Sequence, residues 1–244
     1  MTYKILMPVT SEAAAFRVST TKIPDKSKLV VVNNWDNSDV AAHCKELALE
    51  GADVRWHPEN LGCAPSFNIG VKMLEEPDID YVIIMVAACL FHNTIEDFVR
   101  IIEKREENES NLYYLTTGPY KTDLHCFAVT KKFRQLVGLY DENFWPVYYE
   151  DTDLGRRMQL LGLYKTTLRD DIRTSQGLSM ACAKDPRILQ LWSINSTRVT
   201  SYYRNKWGGD HTQETFKTPF NDPNCGINEW KNLGGRLDYY GRPI

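Results

Sequence analysis

Four short segments of this 244-residue sequence carry residue types whose spacing could do chemistry. Tyr148-Tyr149-Glu150-Asp151-Thr152-Asp153-Leu154 places three carboxylates in four positions at the start of a helical pattern. Like charges this close repel, and a helix N-terminus offsets only part of that cost, so capping explains one of the three. With Phe144, Trp145, Tyr148 and Tyr149 just upstream, they read as a general base beside a stacking platform for a sugar. Asn33-Asn34-Trp35-Asp36-Asn37-Ser38 offers a carboxylate and amides suited to a nucleotide base or ribose, though ordinary turn chemistry accounts for it equally well. In Glu59-Asn60-Leu61-Gly62 and Asn68-Ile69-Gly70, Gly62 permits a tight turn, and Asn60 and Asn68 either fix a loop or touch a ligand. Last, Tyr202-Tyr203-Arg204-Asn205-Lys206-Trp207-Gly208-Gly209-Asp210-His211 ends in a glycine-rich loop, where Lys206 and Trp207 could wall a pyrophosphate and His211 lies close in sequence.

The elements that must position these segments alternate in the first half. Runs 5–9 (ILMPV), 29–34 (LVVVNN) and 52–57 (ADVRWH) read as strands, and 81–85 (YVIIM) as a central strand buried on both faces. Helices fall between Asp39 and Gly51, from Ser66 to Leu74, and from about Thr94, where Ile95, Phe98, Val99 and Ile102 share one face. Alternation of this kind implies parallel pairing in an α/β sheet, with ligands at the carboxyl ends of the strands. The second half is less regular. It offers strands at 112–117, 125–130 and 164–168, a short helix around Phe133 to Val137, and a helix through Leu154, Met158 and Leu161 stopped by Gly162. Asp185-Pro186 is an N-cap and first-turn pair, opening a helix that Gly208-Gly209 ends. The expected organisation is one domain over 1–183 with a helix-and-loop extension, 184–244, packed on it.

Composition narrows the class. Lys and Arg total 29 against 32 Asp and Glu, a net charge of −3, so the chain lacks the overall basic surface of a nucleic-acid binder. Six cysteines stand singly with no CxxC spacing, which argues against zinc ribbons and disulfide frameworks and for free thiols in a reducing cytoplasm. The apolar run before Thr10 is short for a signal peptide, and the longest apolar stretch, Tyr81 to Phe91, falls well below the ~18 residues of a membrane span. A soluble cytoplasmic protein is expected.

In this order, Pro8-Val9-Thr10, VVVNNWDNSD, ENLGCAPSFNIGV, YVIIM and FAVTKKFRQLVGLYDENFWPVYYEDTDLGRRMQLLG resemble the GT-A glycosyltransferases, above all the large inverting family two that uses nucleotide-sugars. The likeness runs over roughly residues 3 to 175 and is most specific from Gly138 to Gly162. The Lys206-Trp207-Gly208-Gly209 tail also looks like that of viral and bacterial members, whose location would be the host cytoplasm for a viral one.

The resemblance implies a GT-A fold, with a mostly parallel central sheet flanked by helices. It also implies transfer of a sugar from a nucleoside-diphosphate sugar, a UDP-sugar first, to a hydroxyl acceptor with inversion. A glycan is the leading acceptor. A modified DNA base is the alternative, for which Arg204, Lys206, Lys217, Lys231, Arg236 and Arg242 could form a local patch. Asp151 becomes the base, and Glu150 and Asp153 orient acceptor or loop. Trp145 and Tyr148 join Asp153 at the acceptor, while Thr10 and Asp36 meet the nucleoside, with Asn60, Asn68, Lys206 and Trp207 on the same donor.

The family also uses Mn²⁺ or Mg²⁺, held by acidic residues just after the buried strand. This chain reads Val86-Ala87-Ala88-Cys89 there, and alanine cannot ligate a hard cation. Weak or absent metal binding is therefore expected, as in a disabled enzyme, a metal-independent relative or a non-catalytic nucleotide-sugar binder. His211 is the remaining candidate ligand. A nucleotidyltransferase leaves the 138–162 segment unexplained, and a dehydrogenase lacks GxGxxG after the first strand.

Overall fold

A computed structural model describes residues 1–34, 37–87, 89–91, 94–106, 113–115, 126–163, 166–167, 174–175, 185–230, 233, 235–238 and 240–243. Asp36 and Ala88, both singled out by the sequence, lie outside these residues.

The first half builds in β–α units. Strand β1 (Tyr3–Val9) leads to helix α1 (Ala13–Thr21), β2 (Leu29–Asn33) to α2 (Ser38–Leu49), and β3 (Asp53–Trp56) to α3 (Cys63–Met73). All five residues of β2 and of β4 (Tyr81–Met85) are buried, as their unbroken apolar runs require. Each such Val, Ile or Met contributes roughly 1.5–3 kcal/mol by leaving water. Helix α2 starts where the Asn37 side chain accepts from the Asp39 and Val40 amides, and it buries Val40, His43, Cys44 and Leu47. Helix α4 (Ile95–Glu106) starts with Thr94 and Asp97 bonded reciprocally, a capping box.

The sheet has seven strands in the order β3-β2-β1-β4-β7-β6-β8, where β6 is Tyr113–Leu115, β7 is Cys126–Thr130 and β8 is Thr166–Thr167. Pairs β1–β2, β2–β3, β1–β4 and β6–β8 are parallel. Pairs β4–β7 and β6–β7 are antiparallel, a feature that strand–helix alternation does not predict. A two-stranded ladder joins β5 (Leu90–Phe91) to β9 (Thr174–Ser175). Among the described residues, three helices follow β7: α5 (Lys131–Leu136), α6 (Glu150–Leu160) and α7 (Pro186–Trp207). The Asp185 side chain caps α7, and Gly208 ends it at φ 74°, as the sequence indicates.

Helix α1 has no counterpart in the sequence reading. Its buried face is Phe16, Ser19 and Thr20, one apolar residue and two hydroxyls, which leaves no apolar stripe to detect. Helix α3 likewise starts at Cys63, three residues ahead of Ser66. A second apolar cluster, Phe144, Val199, Tyr202, Tyr203 and Trp207, packs α7 onto the loop that precedes α6.

Candidate functional site

Strand order reverses at β1: β2 and β3 lie to one side, β4 to the other. In an open α/β sheet, a crevice forms at such a switch point beyond the carboxyl ends of the strands. A cleft of about 580 Å³, counting its open mouth, lies there. Its walls are Pro8 and Val9 at the end of β1 with Thr10 just after it, Asn34 after β2, and Val86 and Ala87 after β4. Asn60, Gly62, Phe67, Pro146 and Ile188 complete the lining with Glu12, Cys63 and Val147.

Asn34 is the polar centre of this cleft. It is 3% exposed, its amide N–H donates to the Val9 carbonyl (2.8 Å), and its Nδ2 donates to Ser66 Oγ (2.7 Å). Ser66 Oγ in turn donates to the Gly62 carbonyl (2.6 Å). The chain of bonds fixes which way the Asn34 amide faces and leaves Oδ1 buried without a partner. An orphaned buried acceptor costs roughly 1–3 kcal/mol unless something donates to it. A ligand N–H or O–H in the cleft would do so.

Two loops form the far wall and are locked together. Cys63 N donates to the Pro146 carbonyl (2.8 Å), Trp145 Nε1 to the Asn60 carbonyl (3.0 Å), and Gly62 N to Asn60 Oδ1 (2.8 Å). Gly62 has φ 82° and ψ 176°, a region open essentially to glycine alone. A Cβ there would meet Trp145 Cδ1 at 2.6 Å and the Pro146 carbonyl oxygen at 2.7 Å.

The second loop continues into α6 through Tyr148 and Tyr149, at φ 76° and 70°. Left-handed backbone at a non-glycine costs on the order of 1–3 kcal/mol, and it concentrates where a site over-determines the chain. Immediately after it come Glu150 and Asp151. Glu150 is 7% exposed with Oε2 unpartnered. Burial first, then the neighbouring Asp151 charge, push its carboxyl well above the usual range. Asp151 is half-buried and faces an open polar groove shared with Thr152, Gln159, His211 and Glu214. Its Oδ1 accepts from the Thr152 amide (2.7 Å) and hydroxyl (3.3 Å). Its Oδ2 is left for an incoming donor.

No family model and no curated protein matches the sequence. Solved structures do. The mannosyltransferase PcManGT from Pyrobaculum calidifontis, in complex with GDP-Man and Mn²⁺, superposes with TM-score 0.60 at 12% identity over 86% of this chain and 65% of that one. Residues 1–349 of S. aureus TarS in complex with UDP give TM-score 0.53 at 11% identity over 87% and 74%. GalNAc-T7 with UDP, GalNAc and Mn²⁺ gives 0.55 at 11% identity over 86% and 52%. The fold is GT-A. This chain spans less than two thirds of the mannosyltransferase and about half of GalNAc-T7.

Two of these GT-A structures hold Mn²⁺. Such an ion takes oxygen ligands, or imidazole alongside them. The side chains of Val86, Ala87 and Cys89, described just after β4, supply neither. Val86 O accepts from Cys89 N (2.9 Å), and Ser19 Oγ of α1 lies 2.9 Å from Ala87 O and 2.7 Å from Cys89 O, with one proton to share between them. Among the described residues no three His, Cys, Asp or Glu side chains converge. His211, proposed from sequence as a ligand, is 66% exposed at its side chain and has Glu214 alone beside it, 3.5 Å away. Among the described residues, those beside β4 do not fit the metal.

Thr10 and Asn60 line the cleft, as the sequence suggests for donor contacts. Five other candidates are buried and bonded within the protein. Asn68 is 1% exposed, donates to the Tyr140 carbonyl (2.9 Å) and accepts from its amide (2.7 Å). Trp145 is 3% exposed and serves the loop lock. Lys206, Trp207 and Asp153 are all fully buried in one network. Lys206 Nζ bridges Asp141 Oδ2 (2.7 Å) and Asp153 Oδ1 (2.6 Å), while Trp207 Nε1 and Arg157 Nε also donate to Asp153, at 2.9 Å each. Burial alone would raise the Asp153 carboxyl, but Lys206 and Arg157 outweigh it and hold it below the usual range. Tyr202 OH closes the other end on Asp141 Oδ2 (2.6 Å). A lysine whose three protons face two carboxylates and a closed core has none left for a pyrophosphate. Tyr148 is half-buried against Trp192, with ring centroids 5.7 Å apart.

Sequence reasoning missed Glu12, Ser19, Ser66, Asp141 and Ile188. Glu12 and Ile188 line the cleft by virtue of α1 and α7 starting beside it. The signal available for Glu12 was its place three residues beyond β1, had α1 been recognised.

Proposed function

We propose that this chain is a glycosyltransferase that binds a nucleoside-diphosphate sugar in the β1–β2–β4 cleft and transfers the sugar to an acceptor hydroxyl. The observation that carries the reading is the buried Asn34 with its orphaned Oδ1, at the strand ends of a GT-A sheet. Thr10 and Asn34 fit the hydrogen-bonding edges of a nucleoside, and Asp36 is placed by its sequence position to extend them. The apolar remainder of the lining, Val9, Phe67, Val86 and Ile188, excludes water from the bound donor.

Asp151 is the general base in this reading. It stands at the helix start that follows the strained tyrosines, and Oδ2 takes the acceptor proton as the hydroxyl oxygen attacks the anomeric carbon. The nucleoside diphosphate leaves on the opposite side, which inverts the centre. Glu150 is buried beside Asp151, and burial raises its carboxyl above the usual range, which disfavours a second negative charge there. The buried Asp141–Lys206–Asp153–Arg157 network holds α6 and therefore the base. The acceptor is a glycan or another polyhydroxyl compound, entering along the polar groove that Asp151 shares with Gln159 and Thr212.

A second reading has a specific observation behind it. The Val86–Cys89 turn, with no carboxylate in its sequence, suits a chain that binds the donor and turns it over little. Release of nucleoside diphosphate from a panel of UDP-, GDP-, CDP-, ADP- and dTDP-sugars, measured beside donor binding, separates the two. Binding with release supports the transferase, and binding without release supports the second reading. No binding of any donor ends both.

A further inference from the structure

We infer that Trp192, held by Tyr148, is the platform on which a pyranose ring of the acceptor stacks, so that the acceptor is a carbohydrate. This rests on the transferase reading above. The left-handed backbone at Tyr148 and Tyr149 sends the two rings different ways. Tyr149 packs against Phe144 and Tyr203, with ring centroids 6.5 and 5.0 Å apart. Tyr148 instead meets the indole of Trp192 on α7, with centroids 5.7 Å apart and planes at 81°. Near-perpendicular rings are a favoured arrangement for aromatic quadrupoles, so the contact fixes the indole.

Trp192 is 39% exposed, and Leu189, one turn before it, 42%. They are the two exposed large apolar side chains of α7, and both lie in its first two turns. Farther along, the helix lines a polar groove with Ser196, Thr197, Thr200, Ser201 and Arg204. Apolar exposure on α7 is thus confined to the end beside the cleft, whose lining Ile188 joins from four residues before Trp192. Tyr148 is placed in the same way. Val147, just before it, lines the cleft, and Asp151, three residues after it, faces the groove with Thr152 and Gln159. The aromatic pair therefore stands where the chain passes from the donor cleft to the base. Single exposed apolar residues need no explanation, but this position is one that an acceptor must occupy. A pyranose offers a flat face of C–H bonds, which carry partial positive charge toward the negative face of an indole. Its rim of hydroxyls suits the polar groove. A lipid or an apolar peptide would match Trp192 and Leu189 but not the polar side chains beside them.

An array of neutral oligosaccharides, probed with the full chain in the presence of UDP, GDP, CDP, ADP and dTDP, tests this. The expected result is binding to one or more glycans, weakened about tenfold or more by Trp192→Ala and within about threefold of the parent for Trp192→Phe. Melting curves of both variants should lie close to the parent's, since the side chain is already partly in water. In a transfer assay, Trp192→Ala should raise the glycan KM by more than it lowers kcat. Equal glycan binding by Trp192→Ala and the parent overturns the platform and leaves the transferase reading standing. So does calorimetric binding of a nucleotide with no glycan bound under any condition. A parent dimer that Trp192→Ala dissociates gives this face to a second copy and also overturns the inference. Failure of all five nucleotides removes the transferase reading; glycan binding that still depends on Trp192 would then keep the platform, and its absence would remove both.

Discussion

Two polar regions of this molecule are buried to the same degree and satisfied very differently. Around α6 and α7, Asp141, Asp153, Arg157 and Lys206 are fully buried, two charges of each sign, bridged by Tyr202 and Trp207. At the ends of β1 and β2, a neutral amide, Asn34, is nearly as buried and keeps one oxygen unpaired. The first region pairs its charges within itself and is structural, although Arg157 Nη2 is buried there without a partner. The second is left open, and that is where a ligand has something to gain. Charge is a poor guide to function here. Whether a buried charge has its counter-charge is the better one.

The comparison predicts that damage to the closed network destroys stability, while damage at the open site destroys binding or turnover. The largest effect is expected for Lys206→Met, which leaves Asp141 facing Asp153 with one cation gone. Removing one partner of a buried pair costs about 3–5 kcal/mol, read as a shift in the urea unfolding midpoint. Unchanged stability would mean that Lys206 is not locked in the core. Gly62→Ala should cost roughly 2–4 kcal/mol, because a Cβ meets both Trp145 and Pro146 and the backbone leaves the region alanine tolerates. The same urea titration checks it.

Asp151→Asn reports on the open side. Turnover of whichever donor binds should fall about 10²-fold or more, with the melting curve and donor affinity nearly intact. A change confined to stability would return Asp151 to the role of a first-turn helix residue.

The smallest effect sharpens the comparison through pH. Glu150 has a folded-state pKa well above 4.5, so the folded protein holds a proton that the unfolded chain gives up as pH rises past that value. Stability therefore declines with rising pH from there until the folded pKa is passed. Glu150→Gln should flatten that decline in a series of melts, and an unaltered slope would show that the carboxyl is ionised in place. Asp153, held below 3.8, works the opposite way: its contribution is present above that pH and is lost as acid is added.

Legibility followed periodicity. The unbroken apolar runs of β2 and β4, the capped start of α7 and the Gly208 stop were readable because each is written in consecutive residues. Helix α1 was not, since Ser19 and Thr20 occupy buried positions that apolar residues normally mark. Ser19 is buried there because its hydroxyl serves the carbonyls of Ala87 and Cys89, nearly seventy residues away. The antiparallel entry of β7 between β4 and β6 is equally invisible locally, since strand direction is set by the route of the connection. Asn34 was legible only as a member of a polar turn.

The sequence by itself determined the β–α units, the helix caps and stops, the neighbourhood of Glu150 and Asp151, and the apolar residues that follow β4. These are properties of residues close in the chain, governed by periodicity, capping and side-chain chemistry. Tertiary structure alone decided which polar groups are spent and which remain. Lys206, Trp207, Asp153, Asn68 and Trp145 all look available in one dimension, and each is paired by a partner distant in sequence. A polar group buried on folding must find a partner or carry the cost of lacking one, and only the folded contacts reveal which has happened.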